Sequence, residues 1–151
     1  MSNFTEQLFK KLSRNDTGET GSHQSGISIP KSVAHSSIFP KMSTAILNQR
    51  REISFIDEGG REWKLQYIYY NDKYHGKPAN ICHDEFRLTY TNAYIKEHNI
   101  KAGDQIWFAI DELGNRHIGF LREGQEPKQT YKEEDGFVIL KIRSWTSIKK
   151  D

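Results

Sequence analysis

"RNDTGETGSHQSGISIP", residues 14–30, is the stretch on which the fold reading turns. It holds Gly18, Gly21 and Gly26, the acids Asp16 and Glu19, and a run of hydroxyl, amide and imidazole side chains, with no apolar residue before Ile27. So polar a segment is not core, and its glycines permit reversals that other residues resist. It reads as a long surface loop that ends in a short strand, "GISIP", closed by Pro30.

On its N-terminal side, Phe4, Leu8, Phe9 and Leu12 recur at helical spacing, which predicts an amphipathic helix over residues 4–14. On its C-terminal side, residues 32–47 read as two short helical pieces interrupted by Pro40. A hairpin follows: "EISFI" and "EWKLQYIYY" flank "DEGGR", whose paired glycines suit a tight turn. Alternation puts Trp63, Leu65, Tyr67 and Tyr69 on one face of the second strand, which predicts that face as core. A second polar loop, "NDKYHGKPANICHDE", leads into the strand "FRLTY". Then come a helical "NAYIKEHNI", a second hairpin from "KAGDQIWFAI" and "RHIGFLRE", a polar connection over 123–135, and a late strand "GFVILKI". The reading is a mainly β domain of seven strands, open and antiparallel-rich, with capping helices; tight turns between consecutive strands argue against a parallel sheet.

The 151 residues suit a single domain. Cys82 is alone, which excludes an internal disulfide and suits an intracellular setting. No apolar run approaches the roughly 20 residues of a membrane span, so no membrane partner is expected. Residues 1–101 carry 14 Lys and Arg against 11 Asp and Glu, and residues 102–151 carry 8 against 9, which directs an anionic ligand to the first two thirds.

Metal and catalytic readings fare poorly. Cys82 and His83 with His75 or His98 lack the second ligand pair that a zinc site needs. Gly18, Gly21 and Gly26 follow a predicted helix and precede no Gly-Lys-Ser/Thr element, unlike a phosphate loop. The pairs Asp57/Glu58 and Asp84/Glu85 lie in loops without the lysine order of metal-dependent nucleases. Neither catalytic residues, a metal nor a cofactor is expected. What remains is the two polar loops, 14–28 and 71–87. They mix acceptors and donors: Asp16, Thr17, Glu19, Thr20, His23 and Gln24 in one, Asn71, Lys73, His75, Lys77, Asn80, Glu85 and Arg87 in the other. A phosphate surface needs only cations, whereas base edges in a major groove need both kinds of partner.

The order of these residues adds a resemblance. "KKLSRNDTGETGSHQSGISIPK" (residues 10–31) is similar to the N-terminal effector domain of EcoRII-type restriction endonucleases, and "IYYNDKYHGK" (68–77) followed by "RLTYT" (87–91) resembles that domain's second block. Asp16, Thr17, Gly18, Gly21, His23, Gln24, Gly26, Lys77 and Arg87 fall on the family pattern. The resemblance implies the pseudobarrel of the plant "B-three" DNA-binding domains, with two arms in the major groove, here about residues 15–28 and 71–89. It implies a non-catalytic module that binds double-stranded DNA at a short site containing CC or GG. The module would be one part of a larger bacterial cytoplasmic enzyme whose nuclease domain lies downstream. Base contacts would come from Asp16, Thr17, Glu19, Thr20, His23, Gln24, Asn80, Glu85 and Arg87, and phosphate contacts from Lys10, Lys11, Arg14, Lys31, Asn71, Lys73, His75 and Lys77. The alternatives are a compact metal-dependent nuclease on the two loop carboxylate pairs, and an RNA- or protein-binding barrel using Tyr67, Tyr69, Tyr70 and Tyr74.

Overall fold

The alternation in "EWKLQYIYY" is realised as a strand paired on both sides, and the rest of the sheet is built outward from it. The computed structural model describes residues 3–21 and 26–151. Its strands are β1 (Phe4–Lys11), β2 (Ile27–Ile29), β3 (Arg50–Ile56), β4 (Glu62–Tyr70), β5 (Glu85–Thr89), β6 (Gln105–Asp111), β7 (Arg116–Leu121), β8 (Phe137–Ile142) and β9 (Trp145–Lys150). Two short helices, α1 (Lys31–Ala34) and α2 (Asn92–Glu97), follow β2 and β5. One sheet runs in the order β2-β5-β4-β3-β7-β6-β1-β9-β8. Among the described residues every pairing between these strands is antiparallel except the single contact of Ile56 with His117 between β3 and β7. Ile27 and Ile29 near one edge and Trp145 near the other share one core cluster, so the sheet curls round its own interior into an open half-barrel.

The mainly β class stands, with nine strands rather than seven. The two additions are β1 and β9. Residues 4–11 form a strand, not the helix their spacing suggests. The physical reason lies in partners that the sequence hides. β1 sits between β6 and β9, and its two faces are both covered: Leu8 belongs to the main core and Phe9 to a second cluster with Trp107, Ala109, Leu121 and Ile148. The two polar residues just before them are buried with partners rather than exposed. Glu6 accepts from the backbone N–H and hydroxyl of Ser37, and Gln7 accepts from the Tyr131 hydroxyl. A strand covered on both faces loses its period-two signature, and two satisfied polar residues break it further. Of the two helical pieces read over 32–47, only α1 forms.

The β3–β4 hairpin is as read. Gly60 takes φ +88° in the turn, and Asp57 caps it, its carboxylate accepting from the Arg61 N–H at 2.9 Å and the Trp63 indole N–H at 2.9 Å. Trp63, Leu65, Tyr67 and Tyr69 all face inward and are buried. The second cluster is packed around a missing side chain. A Cβ on Gly119 would lie 2.1 Å from the Trp107 ring. Gly119→Ala should therefore overpack a ring that is held in place, at a cost of about 1–3 kcal/mol in urea unfolding with an unchanged m value.

Candidate nucleic-acid interface

Two loops and one short ladder make the site. β2 pairs with β5 so that Ile27 faces Leu88, Ser28 faces Arg87 and Ile29 faces Phe86. The first polar loop enters β2 at Gly26, beside Leu88, and the second enters β5 at Glu85, near Ile29. The two loops therefore flank the same ladder from its opposite ends. Gly26 is required for this: it holds φ +86°, and a Cβ there would sit 2.2 Å from the Leu88 carbonyl oxygen. Ile27, Ile29 and Leu88 point into the core, which leaves Ser28 and Arg87 on the outer face. The register continues through Ile68 to Arg50, so a second arginine lies in the same cross-strand row.

The first loop is folded by its own acids. Asp16 is buried against Lys10, Nζ to Oδ2 at 2.8 Å, and the same carboxylate oxygen accepts from the Ser13 N–H at 2.9 Å. Glu19 accepts from the Ala102 N–H at 3.0 Å and lies 3.8 Å from Arg14. Backbone bonds from Thr17, Gly18 and Glu19 to Ser13, Asn15 and Arg14 wind residues 13–21 into consecutive turns.

The second loop is organised by two aspartates. Asp72 accepts from the His83 backbone N–H and lies 3.0 Å from His83 Nδ1, which closes the loop on itself. These hydrogen bonds, the side-chain one first, hold the Asp72 carboxyl below its ordinary range. Asp84 collects three donors: the Tyr69 hydroxyl at 2.7 Å, Lys73 at 3.3 Å and Lys31. Burial opposes its ionisation, but the bonds from Lys31, Tyr69 and Lys73 outweigh burial and bring the carboxyl down to about 2. One carboxylate thus ties β4, the start of α1 and the second loop together, and it fixes two cations at one end of the ladder.

Comparison with known proteins gives this geometry a lineage. Residues 3–91 match the family described as restriction endonuclease EcoRII, N-terminal. The chain belongs to that family. It is also similar to auxin response factor 10 of Oryza sativa, in both the indica and japonica subspecies, at 28% identity over 113 residues, covering 75% of this chain. The chain spans only 14% of the length of those plant proteins. Among solved structures it superposes on the Arabidopsis FUS3-DNA complex with a TM-score of 0.59 and 22% identity, over 81% of this chain and 100% of that one. The shared fold is the B-three-type pseudobarrel.

Within this EcoRII N-terminal domain the residues singled out from sequence divide by burial. Lys11, Arg14, Lys31, Lys73, His75, Lys77, Glu19, Thr20 and Asn80 are exposed, and Thr17, Glu85 and Arg87 are half-buried. His23 and Gln24 lie outside the described residues. Three residues are internal. Lys10 and Asp16 form the buried pair, and Asn71 is fully buried: its side chain accepts from the Asn48 N–H and donates to the carbonyls of Ser43 and Ile46. Asn71 therefore pins the loop before β3 rather than standing at the surface. Arg87 is held 3.9 Å from Glu85, with its Nη1 3.5 Å from the Gly26 carbonyl. Sequence reading passed over Asp84 as an organiser, because Lys31, Tyr69 and Lys73 meet it only in the fold. It also passed over Arg50, whose place opposite Ile68 follows from the hairpin register. Because the Asp84 pKa is depressed on folding, its stabilisation is present above the ordinary value of 3.8 and is lost as pH falls toward about 2. Asp84→Asn should lower stability at neutral pH, and the gap from the wild type should close over that window in a pH series of thermal melts.

Proposed function

We propose that this domain binds double-stranded DNA sequence-specifically, by placing its two loops in one major groove, and serves as the target-recognition part of a restriction endonuclease without cutting DNA itself. The observation that carries the reading is the ladder flanked by two polar loops. It spans the three residues of β2, roughly 10 Å at about 3.3 Å per residue, close to a major groove about 12 Å wide. Exposed cations lie in both loops and beside them: Lys11 and Arg14 at the first, Lys31, Lys73 and Lys77 at the second. The family match and a fold shared with a protein solved as a DNA complex support the same reading.

In this proposal Lys11, Arg14, Lys31, Lys73, His75 and Lys77 meet phosphates, while Thr17, Thr20, Asn80, Glu85 and Arg87, joined by His23 and Gln24, face base edges. Lys10, Asp16 and Asn71 act by holding the loops in shape, and Glu19 does so through Ala102. The target would be short and contain CC or GG, and a downstream nuclease domain in a bacterial cytoplasmic enzyme would use the binding event. The carboxylates favour binding over catalysis. Asp57 caps a turn and Asp84 holds a lysine pair, at opposite ends of the nine-residue β4, on the order of 25 Å apart.

With about four to five phosphates neutralised, log affinity should fall against log salt with a slope of about −4. A slope near zero in a fluorescence-anisotropy titration overturns the groove model. Arg87→Ala should lower the preference for cognate over random duplex by about 1–3 kcal/mol, since a guanidinium forks onto the two acceptors of guanine. Lys73→Ala should instead weaken both duplexes alike. Equal weakening by Arg87→Ala would remove it from the base-reading set.

A further inference from the structure

β8 is the last strand in the sheet order, at the other end from β2, and among the described residues no strand covers its outer edge. That edge is apolar on both faces. Val138, Ile139 and Leu140 are 47%, 45% and 56% exposed, three consecutive large aliphatic residues on a strand with free backbone groups. A bare apolar edge is a template for pairing with another strand, and sheets blunt such edges with charge, proline or cover. β8 has only Lys141.

The charges at its two ends say what fits. Glu133, Glu134 and Asp135 form the turn that enters β8, and Lys141 and Arg143 lie at its exit. An antiparallel copy of the same strand, centred on Ile139, sets Ile139 against Ile139, Val138 against Leu140 and Phe137 against Lys141. The same register brings the acidic turn before each copy's β8 toward Lys141 and Arg143 at the exit of the other. A parallel copy would put acid beside acid. We infer that β8 is a self-complementary edge through which two copies of this chain pair antiparallel about a two-fold axis, joining their sheets into one. The contact is isologous, so it closes at two. A six-residue edge is small beside a standard interface, which makes the dimer weak and concentration-dependent. The edge is independent of the DNA-binding reading, since it uses neither loop.

Sedimentation of the 151-residue chain over a roughly hundredfold concentration range tests this. The weight-average mass should climb from 17.6 kDa toward twice that value and no further. Ile139→Lys places like charges against each other on the axis and should hold the chain monomeric, with an unchanged circular-dichroism spectrum. Asp135→Arg and Arg143→Asp should each weaken association at least several-fold, and the double reversal should restore it. A wild type that stays monomeric, one that grows beyond dimers, or a double reversal that fails to restore pairing would each overturn the inference.

Discussion

The burial of β1 on both faces is the constraint on which the remaining architecture rests. Leu8 and Phe9 point to opposite sides of the sheet and each anchors a different cluster, so one strand holds the interior of the half-barrel and the outer cluster beneath residues 127–137 in a single unit. Its end also begins the first loop. Leu12 exchanges backbone bonds with Gly103 and Asp104, and Lys10, buried at the end of the strand, supplies the charge against which Asp16 folds. A buried ion pair contributes little net stability because desolvation offsets its attraction. Removing one partner leaves the other charge unpaired, so the pair specifies the course of the loop more than it strengthens the fold.

The same logic runs through the second loop. Asp72 and Asp84 are acids on a surface proposed to meet a polyanion, an arrangement that electrostatics alone would disfavour. Each is surrounded by donors: His83 and Lys77 for Asp72, and Tyr69, Lys31 and Lys73 for Asp84. Their charge is matched locally, and what they contribute is the position of cations. Lys31 and Lys73 come from segments far apart in sequence and are fixed side by side by a carboxylate that sits between them. Preorganising long, flexible side chains in this way reduces the entropy lost on binding.

Arg87 is placed by similar means. Its strand partner is Ser28, a small residue that leaves room for the guanidinium, while Glu85 and the Gly26 carbonyl restrain its direction. The close approach of Gly26 to the Leu88 backbone makes that restraint possible, since any side chain at 26 would push the first loop off the ladder. One glycine therefore couples the path of the first loop to the orientation of an arginine at the root of the second.

By itself the sequence determined what local chemistry controls. Paired glycines after Asp57 set a hairpin, alternation in "EWKLQYIYY" set a buried face, and an apolar-free run over residues 14–26 set a loop, because each depends on neighbours within a few residues. It also marked the two loops as the polar elements of interest. Tertiary structure alone decided that residues 4–11 are a strand, since the partners of Glu6 and Gln7 lie at Ser37 and Tyr131. It alone decided that Asn71 turns inward to Ser43 and Ile46, that Asp16 neutralises Lys10, and that Asp84 gathers Lys31 and Lys73. Whether a polar side chain faces solvent or supports a loop depends on which donor or acceptor the fold brings within about 3 Å, and most of those partners are tens of residues away along the chain.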